Sequence, residues 1–135
     1  MKDQITISGQ DGAFEAYIAR PEGLPAPGVV VLQELFGVNA DIREKCEELA
    51  QQGFIAVAPD LFWRQEPGVD LSVTSESDWR HGLRLYQAYD RDAGAADVKD
   101  TVDTAFTRHN GAHYNAAAAA LANGRTRKFL HQQLR

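Results

Sequence analysis

A single cysteine, Cys46, among 135 residues cannot close an internal disulfide, and no Cys or His cluster falls at the spacing of a zinc site. Basic residues are not in excess either: 14 Lys and Arg stand against 19 Asp and Glu, a formal net charge of −5. With no basic patch, this balance argues against nucleic acid or an anionic membrane surface as a main partner. No apolar run approaches the ~20 residues that a spanning helix needs. The polar opening Met1-Lys2-Asp3-Gln4 shows no signal-peptide pattern, so the expected location is cytoplasmic. Eleven glycines and five prolines leave no room for a low-complexity tract, and the chain reads as one globular domain.

What is present is organised around Pro27 to Asn39, PGVVVLQELFGVN. Val29, Val30, Val31 and Leu32 form an uncharged run that reads as a central strand covered on both faces, because a half-exposed strand would alternate with polar residues. Glu34 then stands at the strand's carboxyl end, where open α/β sheets bind ligands. Two readings of that carboxylate stay open. It is either a group placed for chemistry or an acceptor for backbone N–H groups of the Phe36-Gly37-Val38 turn.

Upstream, Ile5-Thr6-Ile7 and Ala13 to Ala19 flank Gly9-Gln10-Asp11-Gly12 and predict a hairpin at a sheet edge. Downstream, Asp41-Ile42-Arg43-Glu44 has the form of a capping box, with Ile42, Cys46, Leu49 and Ala50 on one helical face. On that face Cys46 reads as a small packed hydrophobe. Phe54 to Ala58 is a second buried-type strand, stopped by Pro59-Asp60, which completes a strand–helix–strand unit with parallel strands. Leu61 to Glu76 has no sustained period and predicts a loop long enough to pass over a site. Helical periods return from Ser77, with Trp79, Leu83, Leu85, Tyr86 and Tyr89 inward. Another helix is predicted from Ala95, with Val98, Val102, Ala105 and Phe106 on one face and Asp97, Asp100 and Asp103 on the other. Tyr114 to Leu134, rich in alanine, predicts a last helix and no strand after residue 58.

These residues also resemble a known family. Gln33-Glu34-Leu35-Phe36-Gly37-Val38-Asn39, Arg43-Glu44, Gly53-Phe54 and Val57-Ala58-Pro59-Asp60-Leu61-Phe62 are similar, in order, to the N-terminal part of the dienelactone hydrolases. The likeness continues through Arg64-Gln65, Pro67-Gly68, Tyr86-Gln87-Ala88-Tyr89-Asp90, Ala93-Gly94 and Asp97-Val98. A second block begins at Ala105-Phe106-Thr107-Arg108, followed by Ala112-His113-Tyr114, Ala116 to Asn123 and Arg125-Thr126, and resembles the family's C-terminal end. The resemblance implies a partial α/β-hydrolase-type three-layer sandwich with an N-terminal hairpin, parallel central strands and a helical C-terminal half. It further implies a single domain over 1–135, internally shortened near 103–105.

The family's nucleophile is a cysteine on a glycine-flanked strand-to-helix turn, and neither a G-x-C-x-G nor a G-x-S-x-G elbow occurs here. Its triad aspartate has no counterpart, and Thr104 stands where its histidine precedes the Ala-Phe pair. His81, His109, His113 and His131 have no nucleophile at motif spacing and read as surface or helix-face residues. By resemblance, Glu34 matches the carboxylate that gates the nucleophile, and Arg108 matches an arginine that holds the substrate carboxylate through paired hydrogen bonds. A second anion-binding arginine falls near Arg80, the ungapped count placing Trp79 there. The expected substrates are small carboxylated esters or lactones, without a cofactor. The two functional readings are thus a dienelactone hydrolase-like ester hydrolase inactivated by loss of its triad, and a non-catalytic remnant that binds a small anion or a protein. Removal of the middle also predicts an unpaired edge on Val29 to Leu32, and self-association by edge pairing or exchange of C-terminal helices.

Overall fold

Residues 3–108 and 118–121, which the computed structural model describes, form one five-stranded sheet with helices against both faces. Gln4–Gly9 (β1) and Gly12–Ala19 (β2) make the expected hairpin, with Ile5 opposite Ala16 and Ile7 opposite Phe14. The helix Ala40–Gln51 (α1) joins Gly28–Leu32 (β3) to its parallel neighbour Ile55–Pro59 (β4). Every residue of β4 is buried, as is all of β3 except the half-buried Leu32. The uncharged runs therefore do mark strands covered on both sides. The order is β1-β2-β4-β3-β5, with β2 antiparallel to β4 and the hairpin at one edge.

The two-residue period of a strand sorts the core into two layers. Val29, Val31, Ala56 and Ala58 pack with Ile42, Cys46, Leu49 and Ala50 of α1. Val30, Ile55 and Val57, with Ile7, Phe14 and Ile18, face the opposite way and meet Ala105 and Phe106. The second layer is supplied by Arg91–Val102 (α3) and the π-helical turn Asp103–Arg108 that continues it. Glu76–Gln87 (α2) lies between these layers in sequence and carries the chain from the long loop to α3.

Four local expectations need correction. The cap of α1 is Asn39, whose Oδ1 accepts from Ile42 N at 3.2 Å, while Asp41 already lies in the first turn. There its charge complements the helix dipole, a role that leaves capping to the residue in extended backbone. On α2 only Leu85 of the expected inward set is buried; Tyr89, just beyond the helix, is half-buried, and Trp79, Leu83 and Tyr86 remain 48%, 45% and 48% exposed. Gly82 makes the close approach to the Leu35 carbonyl, and Trp79, beside it on the same side of the helix, rests edge-on against Phe36 without being buried. On α3, Asp97 is not on the polar face but 2% exposed, because Arg64 and Trp63 supply partners for it. Lastly, Ala118–Leu121 (β5) is a strand, parallel to β3 from Val29↔Ala118 to Leu32↔Leu121. The unpaired N–H and C=O groups along β3 outweigh alanine's modest preference for helix. The open β3 edge expected to drive self-association is therefore occupied. The rest of the expected last helix, which includes His131, lies outside the described residues, as do His109 and His113. Among the described residues no helix is long and apolar enough to cross a membrane.

The Asp97 cluster fixes the second helical layer. Its Oδ2 accepts from Trp63 Nε1 at 2.9 Å and Arg64 Nε at 3.3 Å, and its Oδ1 from Arg64 Nη2 at 2.9 Å. Arg64 Nη1 also reaches Asp11 Oδ2 at 2.8 Å, so one guanidinium ties the hairpin turn, the loop after β4 and α3 together. Removing one member leaves a buried polar group without its partner, which is costlier than losing the attraction alone. Asp97→Ala is expected to destabilise the fold by about 3 kcal/mol, the low end of the range because Arg64 keeps some solvent. Urea unfolding followed by far-ultraviolet circular dichroism checks this; a change under about 1 kcal/mol would contradict it.

Candidate functional site

The carboxyl ends of β3 and β4 open onto a cavity of about 260 Å³. Leu32, Gln33, Glu34 and Leu35 form one side, Leu61 and Phe62 a second, and Tyr86 and Tyr89 a third. Its walls are mainly apolar, with Gln33, Glu34 and the two tyrosines as the polar residues. Glu34 is solvent-exposed at the rim. Its backbone oxygen accepts from Gly37 N at 3.3 Å and from Gln33 Nε2 at 3.1 Å. The turn after β3 is thus held through the main chain of Glu34, an exposed residue of the cavity lining.

Several close approaches make this turn rigid. Gly37, at φ +79°, lies where a Cβ would collide with the Val69 carbonyl, and it bridges to both Glu34 and Asp70. Only glycine combines that left-handed backbone with that lack of bulk. Gln33 Oε1 accepts from Leu61 N at 2.9 Å and joins the turn to the loop after β4. That loop is fixed in turn by Asp60, whose two oxygens accept from Phe62 N at 3.2 Å and Gly68 N at 2.8 Å. Burial pushes the Asp60 carboxyl above the ordinary aspartate value, although both amide bonds pull the other way. Arg43 pairs with Asp70 at 3.0 Å and Leu71 N reaches Phe36 O at 2.9 Å, so the long loop is pinned along its length. A wider depression of about 580 Å³ lies beyond it, and its Arg43, Asp60 and Asp70 charges are engaged in these same contacts.

Of the candidate arginines, only Arg80 has a described side chain, and it does not join Glu34 at the cavity. Arg80 lies on the exposed side of α2, 3.4 Å from Glu76, and is absent from the cavity lining. Trp79, at the place of the ungapped count, rests edge-on against Phe36 with ring centroids 4.9 Å apart. Arg108 closes the π-helical turn, and its side chain lies outside the described residues. That turn packs Phe106 at Gly28, the amino end of β3. Glu34 is beyond the other end, roughly 20 Å along the strand direction at ~3.3 Å per residue. Cys46 is fully buried between α1 and the sheet, and desolvation pushes its thiol from 9.0 up to about 12. Gln33 and Tyr89 went unrecognised as wall residues in the sequence. The signal for Gln33 was its place between a strand end and Glu34; for Tyr89 an inward helical position was legible, but not the cavity beneath it. The Tyr89 phenol is raised by burial and by the nearby Asp97 and Asp90 charges. A carboxylate beside apolar walls can orient a ligand's donor or tune a neighbouring acid, but supplies no attacking atom of the thiol or hydroxyl kind. Among the described residues no group of three or more His, Cys, Asp and Glu side chains could hold a metal ion.

Comparison with known proteins gives consistent results. A family model described as the dienelactone hydrolase family matches residues 14–105. A candidate carboxymethylenebutenolidase of Azospirillum brasilense is 48% identical over 93 residues, 68% of this chain and 40% of that protein. The carboxymethylenebutenolidase of Pseudomonas putida is 39% identical over 110 residues, 81% of this chain and 46% of its own length. A crystal structure of a candidate dienelactone hydrolase from Klebsiella pneumoniae superposes with a TM-score of 0.69 at 29% identity, covering 87% of this chain and 48% of that one. The chain thus spans less than half the length of each of these relatives.

Two outcomes follow from the geometry. Gly82→Ala places a methyl group against the Leu35 carbonyl. It is expected to lift α2 from the turn, with a loss of about 1–3 kcal/mol. A red shift of tryptophan emission as Trp79 leaves Phe36 would report the displacement, and unchanged emission would contradict it. The second outcome concerns alkaline pH. The folded state holds the Cys46 proton up to about 12 whereas an ordinary thiol loses it near 9.0. Unfolding in that window releases a proton, so stability falls as pH rises, by about 1.4 kcal/mol per unit for this group. Urea midpoints taken on both sides of the ordinary thiol value should fall less in Cys46→Ala than in the parent chain.

Proposed function

The chain belongs to the dienelactone hydrolase family, and from that premise we propose that it is a carboxylic ester hydrolase fold keeping the Glu34 pocket without the nucleophile. The observation that carries this reading is the state of its one thiol. Cys46 is buried at 0% exposure inside a helix–sheet interface, with its thiol pushed up to about 12. It is therefore a packed, protonated side chain rather than an activated thiolate. No glycine-flanked cysteine or serine elbow occurs anywhere in the 135 residues. In this reading one domain runs from 1 to 135 and is shortened near 103–105, in keeping with a family match that stops at residue 105.

Glu34 is then the retained gating carboxylate, and the substrate class that its apolar pocket suits is a small ester or lactone. A carboxylated ligand would need a cation, and none lines the pocket among the described residues. Arg80 is engaged with Glu76, and the turn bearing Arg108 sits at the far end of β3. The non-catalytic alternative is a remnant that binds a small anion or a protein partner, and the apolar cavity walls also suit an uncharged small molecule. Ligand binding without turnover would support it.

The expected outcome is no thiol-dependent hydrolysis of an activated ester by the purified chain. Loss of a complete triad removes on the order of a millionfold in rate. Turnover followed with and without an alkylating agent should be equally slow. Rapid hydrolysis that Cys46→Ala abolishes would overturn the reading.

A further inference from the structure

We propose that the residues after β5 fold back over the Glu34 cavity, pairing Arg125 with Glu34 and seating Phe129 against the apolar walls, so that the chain holds an occupant for its own pocket. The inference rests on the reading of that pocket as a binding site and adds its regulation. The register of β5 fixes where the occupant starts. Leu121, the last residue of β5, lies opposite Leu32, and Leu32 is itself a wall of the cavity. A chain continued at ~3.3 Å per residue comes level with Glu34 two residues later, at Asn123. Asn123-Gly124 is a dipeptide that favours a tight reversal, which brings Arg125 back to that level about one strand spacing, ~4.8 Å, away.

Charge and composition favour the same contact. All 19 Asp and Glu residues lie between Asp3 and Asp103, so the stretch after Asp103 carries cations without a single acid. Glu34 is exposed, and among the described residues its carboxylate forms no ion pair and no hydrogen bond, whereas Asp60, Asp70 and Asp97 are all matched. It is also the one charged residue of the described lining. Arg125-Thr126-Arg127-Lys128 therefore brings the sign of charge that this lining lacks. Phe129 and Leu130 follow as an apolar pair in an otherwise polar run. The cavity of about 260 Å³ equals roughly nine waters at ~30 Å³ each, a space that one aromatic side chain takes up among Leu35, Phe62 and Tyr89. Only Ala122, Asn123 and Gly124 separate β5 from Arg125, which makes the encounter intramolecular. Short tethers of this kind give effective concentrations on the order of millimolar, so a modest contact suffices. An incoming ligand must displace the segment, and its apparent affinity is reduced by the fraction of chains that are open.

Amide hydrogen exchange on the full chain tests the docking. Amides of 125–130 are expected to exchange about tenfold more slowly than unprotected ones. Phe129→Ala and Glu34→Arg should each remove that protection, while Glu34→Arg combined with Arg125→Glu should restore it, because the pair is rebuilt with its signs exchanged. Circular dichroism verifies that each variant keeps its fold. An unprotected segment in the parent chain, protection that survives Glu34→Arg, or a reversed pair that restores nothing would each overturn the proposal. Binding of acetophenone, an uncharged ketone of ester-like shape, is read from tyrosine NMR shifts and separates the segment from the pocket. Its affinity is expected to rise about tenfold in Phe129→Ala, the same factor as the protection. Equal binding to the parent chain and to Phe129→Ala would overturn the occupant and leave the pocket as a binding site. Binding to neither, with the exchange pattern as expected, would uphold the docked segment and remove the binding-site reading instead.

Discussion

The ion pair between the solvent-touching Arg64 and the buried Asp97 is the contact on which one side of this molecule depends. A helix that covers a sheet usually does so with an apolar stripe, and α1 follows that rule through Ile42, Cys46, Leu49 and Ala50. In α3 the buried positions are Gly94, Asp97 and Thr101, too small or too polar to secure a layer by area alone. What brings α3 down is a guanidinium from the loop after β4, supported by the Trp63 indole that stacks on Phe14 at 5.3 Å. Thr101 closes the arrangement by donating to the Asp97 carbonyl at 2.7 Å. A desolvated carboxylate is tolerable only where each oxygen is matched in this way. The loop and the helix therefore order each other, and the cavity wall built by Leu61 and Phe62 inherits that order.

Much of the frame was legible because it rests on local pattern. The β-branched run at Val29–Val31, the glycine-flanked turn at Gln10-Asp11 and the stripe of α1 each state their own structure. What escaped is decided by partners distant in sequence. Asp97 looks like a solvated helix residue until Arg64, 33 positions earlier, is placed beside it. Ala118–Leu121 looks like helix because alanine favours helix in isolation, and only the free edge of β3 makes it a strand. Trp79, Leu83 and Tyr86 were legible as one stripe but not as one left nearly half exposed, since it is Gly82 beside them that makes the close contact with Leu35.

The site divides in the same way. Glu34 could be located from the end of its strand, and the cavity beside it confirms that placement without assigning it a reaction. Family likeness named Arg108 and Arg80, but charge alone does not specify where a helix or turn will carry a guanidinium. The geometry instead surrounds Glu34 with apolar walls and phenols, drawn from three separate stretches of chain. A carboxylate in such company has its chemistry set by what enters the cavity, because its own main chain is already committed to the turn.

The seat of Cys46 gives the molecule an internal gauge of its own cohesion. Because the sulfur is sealed between α1 and the central strands, a thiol reagent reaches it only when that layer opens. With one cysteine in the chain, any label incorporated reports a single event at a single place. Under conditions where closing outruns labelling, the rate measures the free energy of lifting α1 from the sheet. The stability of one face of this fold can therefore be followed separately from the ion-paired face opposite, without introducing a foreign probe.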